Sequence, residues 1–443
     1  MNQDYIVSTI EDENDGDFSA GDLSLREAIA LANEQEGEDT ITFSSELSDG
    51  TIAFDESLER NLAIDDSLTI EGLGQDNLTL DGGFIFTNQA GADLAIDGLS
   101  LTGGKIDSFG NLTLSNSTIS QTIALDGISN NSSIIGRGTT NISDSSIVDS
   151  NGGGGLGVVI ESGTANIERS TVANHGLGVT GGAGVLIRTD ETVNINNSTI
   201  ANNSNTRGGA GLSISGTVNV SNSTIANNSG GIGDGGIINP GGNGVINLTS
   251  SIVAGNTGAG DGRTVEKSID GEFISGGNNL IDNGDDASGF VDSDLVGSLD
   301  NPIDPLLGEL QNNGGSTETL ALLDGSLAID AGSNPNDLAT DQRGEGFDRI
   351  VGAGTDIGAF EVQAADDLLG SNDNSYISDS TSEENAGAIV ELEQSQDLFG
   401  LSSIASSNDL SLGDRDFTLT DEILATLDGF DHSFSSDSSF SSI

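Results

Sequence analysis

The chain of 443 residues contains no cysteine, no tryptophan, four prolines and one methionine. Without cysteine, neither a disulfide framework nor a thiolate metal site can form. Aromatic residues make up only 4% of the chain. No apolar run approaches the ~18 residues that span a bilayer. The sequence therefore predicts no transmembrane segment, and its composition does not suit a large conventional globular core.

Basic residues are also scarce, because 12 lysines and arginines stand against 71 acidic residues, for a formal net charge of −59. Such a charge repels nucleic acid and anionic membrane surfaces, which excludes both as expected partners. It favours divalent cations and cationic partners instead. Residues 1–13 lack a basic segment and a long apolar run, so the sequence predicts no secretory signal peptide there.

The chain is rich in glycine, with 64 residues, and in one recurring phrase. Between residues 111 and 256, short segments that begin with Asn or Leu end in an isoleucine or valine at steps of 28, 25, 28, 25 and 27 residues. These closing residues are Ile119, Ile147, Val172, Ile200, Ile225 and Ile252. A period of this length is typical of a solenoid in which each repeat stacks on the last.

Each repeat holds three short segments with period-two alternation, which predicts three strands per coil and a right-handed parallel β-helix. Leu68 and Ile70 precede Leu94 and Ile96 by 26 residues, so the period begins before residue 111. We expect the recurring asparagines to form hydrogen bonds with their stacked equivalents and to occupy left-handed turns.

A short helix precedes the repeats. Ser24 and Glu27 form the pattern of a capping box, and Leu25, Ala28 and Ile29 begin an apolar stripe at helical spacing. We interpret this helix as the cap of the first coil, which would otherwise expose apolar side chains and open strand edges.

Residues 22–33 resemble the N-terminal "CSLREA" motif of bacterial surface and secreted β-helix proteins, although Leu23 stands where that motif has cysteine. The motif residues are Ser24, Leu25, Arg26 and Glu27. Residues 306–361 are similar to the "choice-of-anchor Q" domain, with Ser316 and Leu327 replacing prolines that are common in that pattern. The resemblance implies an extracellular, pectate-lyase-like β-helix, and most members of the family have no established activity.

The composition and the resemblance together divide the chain into four parts. These are an N-terminal strand and capping helix at 1–39, β-helix repeats at 40–299, a choice-of-anchor Q-like segment at 300–363 that closes the solenoid, and an acidic tail at 364–443. The tail is rich in serine and aspartate, which predicts disorder. It also resembles substrates of bacterial type I secretion, so it is predicted to act as a secretion signal or as a plain disordered tail.

Five polar residues recur in the C-terminal motif: Asp330, Asp341, Arg343, Asp356 and Glu361. We expect Arg343 to pair with carboxylates and lock the C-terminal coils, and a catalytic role for these residues is the alternative. Among the repeats, we expect the arginines to form surface ion pairs with nearby acids. His175, the only histidine before the tail, is interpreted as a turn residue.

No cofactor follows with certainty, but the acidic turns could bind Ca²⁺, including the cluster Asp282, Asp285 and Asp286. The leading hypothesis is an exported, non-catalytic adhesin or matrix protein that contacts polysaccharide or a cell surface. A polysaccharide lyase or glycoside hydrolase acting in a groove along the coils is the alternative. An intracellular scaffold is a third reading. An open groove where a basic side chain faces clustered carboxylates would favour the enzyme.

Overall fold

The structure of the protein is a computed structural model. It describes residues 2–363 apart from residues 20, 123–131, 151–154, 177–183, 206–208, 232–234, 240–241, 243, 261–262, 267, 270 and 286. The predicted acidic tail and secretion signal, at 364–443, lie outside the described residues. The chain divides into two units, Met1–Asp373 and Asn374–Ile443, and all described residues belong to the first. Within them, no helix has the length and apolar character needed to cross a membrane.

The described chain is an all-β parallel solenoid, as the repeat predicts, and about eight turns contribute one strand to each of three sheets. The first sheet has eleven strands. They are Asp4–Val7, Asp39–Phe43, Leu68–Glu71, Asp93–Asp97, Asn111–Ser115, Thr140–Ser143, Ala165–Glu168, Thr192–Asn196, Thr217–Ser221, Val245–Thr249 and Ile274–Gly277.

The second sheet also has eleven strands. They are Gly50–Ala53, Leu78–Asp81, Ser100–Thr102, Thr118–Ser120, Ser146–Val148, Thr171–Ala173, Thr199–Ala201, Thr224–Ala226, Ile252–Ala254, Leu280–Ile281 and Leu295–Val296. The third sheet has eight. They are Asn61–Ile64, Ile85–Asn88, Lys105–Ser108, Ser132–Gly136, Leu156–Ile160, Val185–Ile187, Leu212–Ser213 and Ile237–Ile238.

Smaller elements complete the described fold. A 3-10 helix spans Ser45–Leu47. A four-stranded sheet and two pairs of strands lie outside the three main sheets. Their strands are Ser204–Asn205, Ser229–Gly230, Thr257–Gly260 and Arg263–Glu266, then Gly271–Glu272 with Ala287–Ser288, and Leu307–Gln311 with Thr319–Leu322.

The strand register explains the period of the sequence. Ile119 pairs with Ile147, which pairs with Val172, so the apolar residues of successive repeats stack in one column inside the solenoid. Every one of these side chains is fully buried, and burial of such a side chain contributes about 1.5–3 kcal/mol. One assignment is wrong, because Ile225 pairs with Val253 rather than with Ile252. Ile252 therefore faces outward.

The predicted capping helix is present as α1, Leu25–Asn33, with Ser24 at the N-cap and both hydrogen bonds of the capping box. Leu25 and Ala28 are buried on its inner face. The helix packs against the strands Asp4–Val7, Asp39–Phe43 and Asn61–Ile64. It therefore shields one end of the core that the first coil would otherwise expose.

Residues 300–363 were expected to close the solenoid. Within them, residues 305–363, which we call the strap, lie along the outer face of the second sheet. Leu320 packs on Ala201 and Ala226. Further along, Leu322, Ala328 and Ile357 pack with residues of the last second-sheet strands: Ile252, Ala254 and Leu280. The strap therefore buries apolar side chains that point away from the core.

Candidate functional site

The outer face of the first sheet carries a row of side chains, one on each turn, most of which are polar. Alternation along each strand points these residues away from the core. In five successive turns the residue is asparagine, and we call this set the outer asparagine ladder: Asn141, Asn166, Asn194, Asn219 and Asn247. From Asn166 onward, each Nδ2 donates to the Oδ1 of the preceding asparagine over 2.7–2.8 Å. The predicted hydrogen bonds between stacked asparagines are thus confirmed.

The same row continues beyond the ladder at both ends. Thr69, Ala95 and Thr113 precede Asn141 in register, and Ile274 follows Asn247. Ile274 is 59% exposed. The row therefore changes from hydroxyl and methyl groups through amides to an open aliphatic side chain.

A groove of about 460 Å³ lies at the start of this row, and we call it the N-terminal groove. Its lining residues are Glu38, Ser67, Leu68, Thr69, Asp93, Leu94, Ala95, Asn111, Thr113, Thr139 and Asn141. Asn111 Nδ2 donates to Asp93 Oδ1 over 2.7 Å, and Thr139 N–H donates to Asn111 Oδ1 over 2.9 Å. These bonds join three successive turns, so the groove is built from the solenoid itself.

Glu38 and Asp93 are the only ionisable residues of that lining, and both are exposed. Glu38 directly precedes its strand and Asp93 begins the strand two turns further on, which places their backbones about 10 Å from each other. The lining contains no lysine, arginine, histidine or aromatic residue. The groove therefore presents carboxylates, hydroxyls and amides.

A second groove, of about 260 Å³, lies near the other end of the first sheet, and we call it the C-terminal groove. Its lining residues are Asn239, Gly242, Gly244, Val245, Ile246, Gly271, Glu272, Phe273 and Ile274. Val245 begins its strand as Asn111 does, so both grooves lie at the strand starts of one sheet. Val245 and Ile274 are both exposed, which makes this groove the more apolar of the two.

The N-terminal motif has a structural role in the described chain. Ser24 Oγ accepts the Glu27 N–H over 3.2 Å. The carboxylate of Glu27, which is fully buried, also accepts from Gly16 N–H over 3.0 Å. Arg26 forms a two-pronged ion pair with Asp12 at 2.8 Å. Together with buried Leu25, these residues fasten the acidic loop before α1 onto the cap.

The structure brings the five predicted residues of the C-terminal motif together within the strap. Arg343 Nη2 donates to Asp341 Oδ2 over 2.6 Å, and both side chains are buried. Phe347 and Phe360 flank the guanidinium at 4.0 and 3.8 Å from their ring centroids. The expected pairing of Arg343 with a carboxylate is confirmed.

The remaining three acids of this motif bind backbone groups. Asp330 Oδ1 accepts N–H groups of residues 353 and 354 at 2.8 Å. Asp356 accepts from residues 330 and 362, each over 2.7 Å, and Glu361 accepts from residues 351 and 356 at 3.1 and 2.8 Å. These bonds join residues 330–362 of the strap to one another.

Arg349 is a member of this cluster that the sequence did not single out. It is fully buried, and its Nη2 donates to the carbonyls of Asp356 and Gly358 over 2.9 and 2.7 Å. Burial lowers the pKa of Arg349, whereas the nearby Glu361 carboxylate counteracts that shift. Burial also raises the pKa of Glu361 to about 8, against the effect of its backbone donors and of Arg349. Neither Arg349 nor any of the five motif residues lines the N-terminal groove or the C-terminal groove.

A second asparagine ladder runs inside the solenoid, at the end of the second sheet. Asn203 Nδ2 donates to Asn228 Oδ1, and Asn228 Nδ2 donates to Asn256 Oδ1, each over 2.9 Å. All three side chains are fully buried. The preceding residues Asn202 and Asn227 adopt φ angles of 57° and 59°. This confirms the predicted left-handed turns.

His175 occupies the next position of this inner ladder, in a turn as predicted. Its backbone N–H donates to Asn203 Oδ1 over 3.1 Å. The ring Nε2 lies 2.9 Å from Ile147 O, and Nδ1 accepts the Ser150 N–H over 3.3 Å. Burial lowers the pKa of His175 to about 4. The ring is therefore a neutral, structural hydrogen-bonding group.

The predicted surface ion pairs of the repeats are confirmed. Arg137 bonds to Asp107 and, over 2.9 Å, to Glu161. Arg169 pairs with Asp144 over 2.7 Å and also with Glu168. Since none of these residues lines the N-terminal groove, the basic side chains described here are separate from its carboxylates.

The described residues contain no group of three or more His, Asp or Glu side chains placed to hold a metal ion. In the predicted calcium cluster, Asp282 Oδ2 accepts from Gly255 N–H over 2.7 Å and Asp285 Oδ2 from Leu299 N–H over 2.9 Å. Asp286 lies outside the described residues. Calcium binding stays a prediction.

Comparisons of the chain with protein-family models, curated proteins and solved structures found no match. The parallel solenoid therefore rests on the described structure, and the family resemblance rests on the sequence motifs alone.

Proposed function

We propose that the protein is an exported bacterial β-helix protein that binds polysaccharide, without catalysis, on the outer face of its first sheet. One observation carries this proposal: the outer asparagine ladder lies open between two grooves, while the strap covers much of the equivalent face of the second sheet.

The chemistry of the ladder suits sugar hydroxyls. Asn166, Asn194 and Asn219 each use one N–H and one lone pair of Oδ1 within the ladder, and an amide has two of each. The second N–H and lone pair can therefore meet a hydroxyl, which both donates and accepts, directly or through water. Thr113 in the N-terminal groove adds a hydroxyl of its own.

The resemblance to CSLREA and choice-of-anchor Q proteins supports an extracellular or cell-surface location. In that setting, adhesion to a glycan-rich matrix is a fitting role for a cysteine-free, highly acidic solenoid. The strap and the helix α1 account for the residues of both motifs structurally, and the two grooves make the first sheet the surface that we propose for a partner.

Glycoside hydrolysis remains a second candidate because the N-terminal groove contains Glu38 and Asp93 two turns apart. A pair of carboxylates flanking the scissile bond is what that reaction needs. A polysaccharide lyase is less well supported, since the groove lining offers no lysine, arginine or histidine to abstract a proton.

The proposal is tested by incubating the full chain with insoluble and soluble polysaccharides, with Ca²⁺ and with a chelator. Binding and new reducing or unsaturated ends are both measured. We expect Thr113→Arg, on the open face of the first sheet, to weaken binding. Thr51→Arg is the matched control, because Thr51 is an equally exposed strand residue on the second sheet. Release of sugar ends that disappears in Asp93→Asn would overturn the non-catalytic proposal.

A further inference from the structure

We infer that the first sheet binds an extended, uncharged polysaccharide chain that lies parallel to the solenoid axis and spans both grooves. This inference rests on the proposed function and adds the class of glycan, its direction and the length of chain that is recognised. It follows from the register of the first sheet, the charge of the lining and the nature of the two ends.

The register joins the two grooves into one surface. The row passes through nine positions in nine successive strands of one sheet: Thr69, Ala95, Thr113, Asn141, Asn166, Asn194, Asn219, Asn247 and Ile274. Eight steps of about 4.8 Å give a length of about 38 Å. The first positions line the N-terminal groove and the last lines the C-terminal groove.

The repeat of the ladder favours an extended ligand. Equivalent amides recur once per turn in a straight row, so the same contact can be made repeatedly only by a chain that advances by a similar distance per unit. An extended pyranose chain does so, since each sugar unit with its glycosidic oxygen is close in length to one turn spacing. A coiled glycan would leave the row after a few units.

The charge of the lining favours an uncharged ligand. Glu38 and Asp93 stand at the N-terminal groove and Glu272 at the C-terminal groove, without a basic residue in either lining. A glycan rich in uronate or sulfate would meet carboxylates of its own sign, in addition to the net charge of −59. A neutral chain can instead donate its hydroxyls to these carboxylates in charge-assisted hydrogen bonds.

The two ends differ in a way that gives the surface a direction. The N-terminal groove is lined by hydroxyl, amide and carboxylate groups around Ala95 and Leu94. The C-terminal groove offers the exposed side chains of Val245 and Ile274. Such aliphatic groups pack against the apolar face of a sugar ring, so the two ends make unlike contacts with the chain.

The test measures the affinity of the full chain for neutral, extended oligosaccharides of about two to ten sugar units. We expect affinity to rise by about ten-fold or more from the shortest oligomers and to level off near eight units. Asn166→Arg, in the middle of the row, should move the plateau to about four units. Ile274→Arg should shorten it by one or two units, and Thr51→Arg should leave it unchanged.

The outcomes separate the inference from the proposed function. Binding of neutral polysaccharide without dependence on chain length, or with equal affinity for a coiled glycan, would overturn the inference alone. Tighter binding of a uronate-rich glycan in chelator would overturn it as well. Failure to bind every glycan tested would instead overturn the proposed function. Circular dichroism and thermal unfolding of each variant establish that a changed plateau arises in folded protein.

Discussion

The outer faces of the first and second sheets are built by the same repeat, turn by turn, and yet one is open and the other is largely covered. In a single turn, Asn194 lies on the first face, where it is half-buried, and Thr199 lies on the second, where it is fully buried. Asn194 bonds to the preceding asparagine, whereas Thr199 Oγ1 donates to Gln342 of the strap over 2.6 Å.

The side chains that flank these positions account for the difference. On the second sheet the outward residues include small alanines, Ala201 and Ala226, against which Leu320 of the strap packs without steric conflict. At the ladder positions of the first sheet the outward residues are amides, whose desolvation beneath an apolar cover would be costly. A solenoid thus separates a face for internal packing from a face for external contact by the choice of one or two residues per turn.

The largest expected effect comes from removing the charged centre of the strap. Asp341→Ala leaves buried Arg343 without its carboxylate and takes an acceptor from the Glu361 N–H. Breaking a buried ion pair in this way destabilises a fold by about 3–5 kcal/mol. We expect a matching fall in the free energy of unfolding and faster proteolysis of the strap, followed by denaturant titration and limited digestion.

The control for that variant is Arg188→Ala, which removes a mostly exposed ion pair with Glu161 at 3.6 Å. Exposed pairs contribute about 0–1 kcal/mol. An equally small loss in Asp341→Ala would show that the ionic cluster does not hold the strap on the second sheet.

Acid should weaken the inner ladder through His175. Its pKa is about 4 in the folded protein and near 6.5 when unfolded, so the unfolded chain binds the proton first as pH falls. The neutral His175 ring therefore stabilises the fold fully above pH 6.5. This contribution, about 3 kcal/mol, is lost as pH falls from 6.5 to 4. In His175→Asn, which matches the next residue of the ladder, stability should depend less steeply on pH between 6.5 and 4. An unchanged slope in the variant would refute this assignment.

Close contact between strap and second sheet should make Gly358 intolerant of a side chain. Its φ is 101°, and an added Cβ would lie 2.8 Å from Thr224 Oγ1 and 2.9 Å from Ile252 Cδ1. Gly358→Ala therefore combines backbone strain with overpacking, which costs about 1–3 kcal/mol. Gly344→Ala is the control, because its φ is also positive but no atom lies within 4 Å of the added Cβ. Equal losses would show that strain alone, rather than contact with the second sheet, decides the effect.

Much of the solenoid could be predicted from the sequence because its physical cause is local and repeated. The spacing of Ile119 and Ile147 predicts that they stack on each other inside the solenoid, and the pattern of Ser24 and Glu27 predicts the start of α1. The strap's path could not be read this way, since Leu320 meets Ala201 across a long separation in the sequence. A signal was nevertheless present. The last residue of the second-sheet strand changes from Asp81, Thr102 and Ser120, through Val148, to alanine at Ala173, Ala201 and Ala226, and these alanines face outward.

The candidate site was less predictable for a related reason. The sequence predicts that the asparagines of the outer ladder stack on one another. Their exposure could not be predicted, because it depends on the strap covering the second sheet and not the first. The grooves, in turn, combine Glu38, Asp93 and Asn111, which no repeat position links. Arg349 was missed because its burial is set by the fold of the strap rather than by any local pattern.

Asn194 and Thr199 belong to one turn, and substitutions at these two residues should change stability by different amounts. Asn194→Ala removes a surface amide, so the free energy of unfolding should change by less than about 0.5 kcal/mol. Thr199→Val keeps the shape of its residue but leaves Gln342 Oε1 without its donor beneath the strap, which should cost about 1–3 kcal/mol. Glycan binding should respond in the opposite order, falling in Asn194→Ala and persisting in folded Thr199→Val. Comparable losses of stability in the two variants would mean that the outer ladder stabilises the solenoid. That result would contradict the proposal that the ladder is an open face for binding a partner.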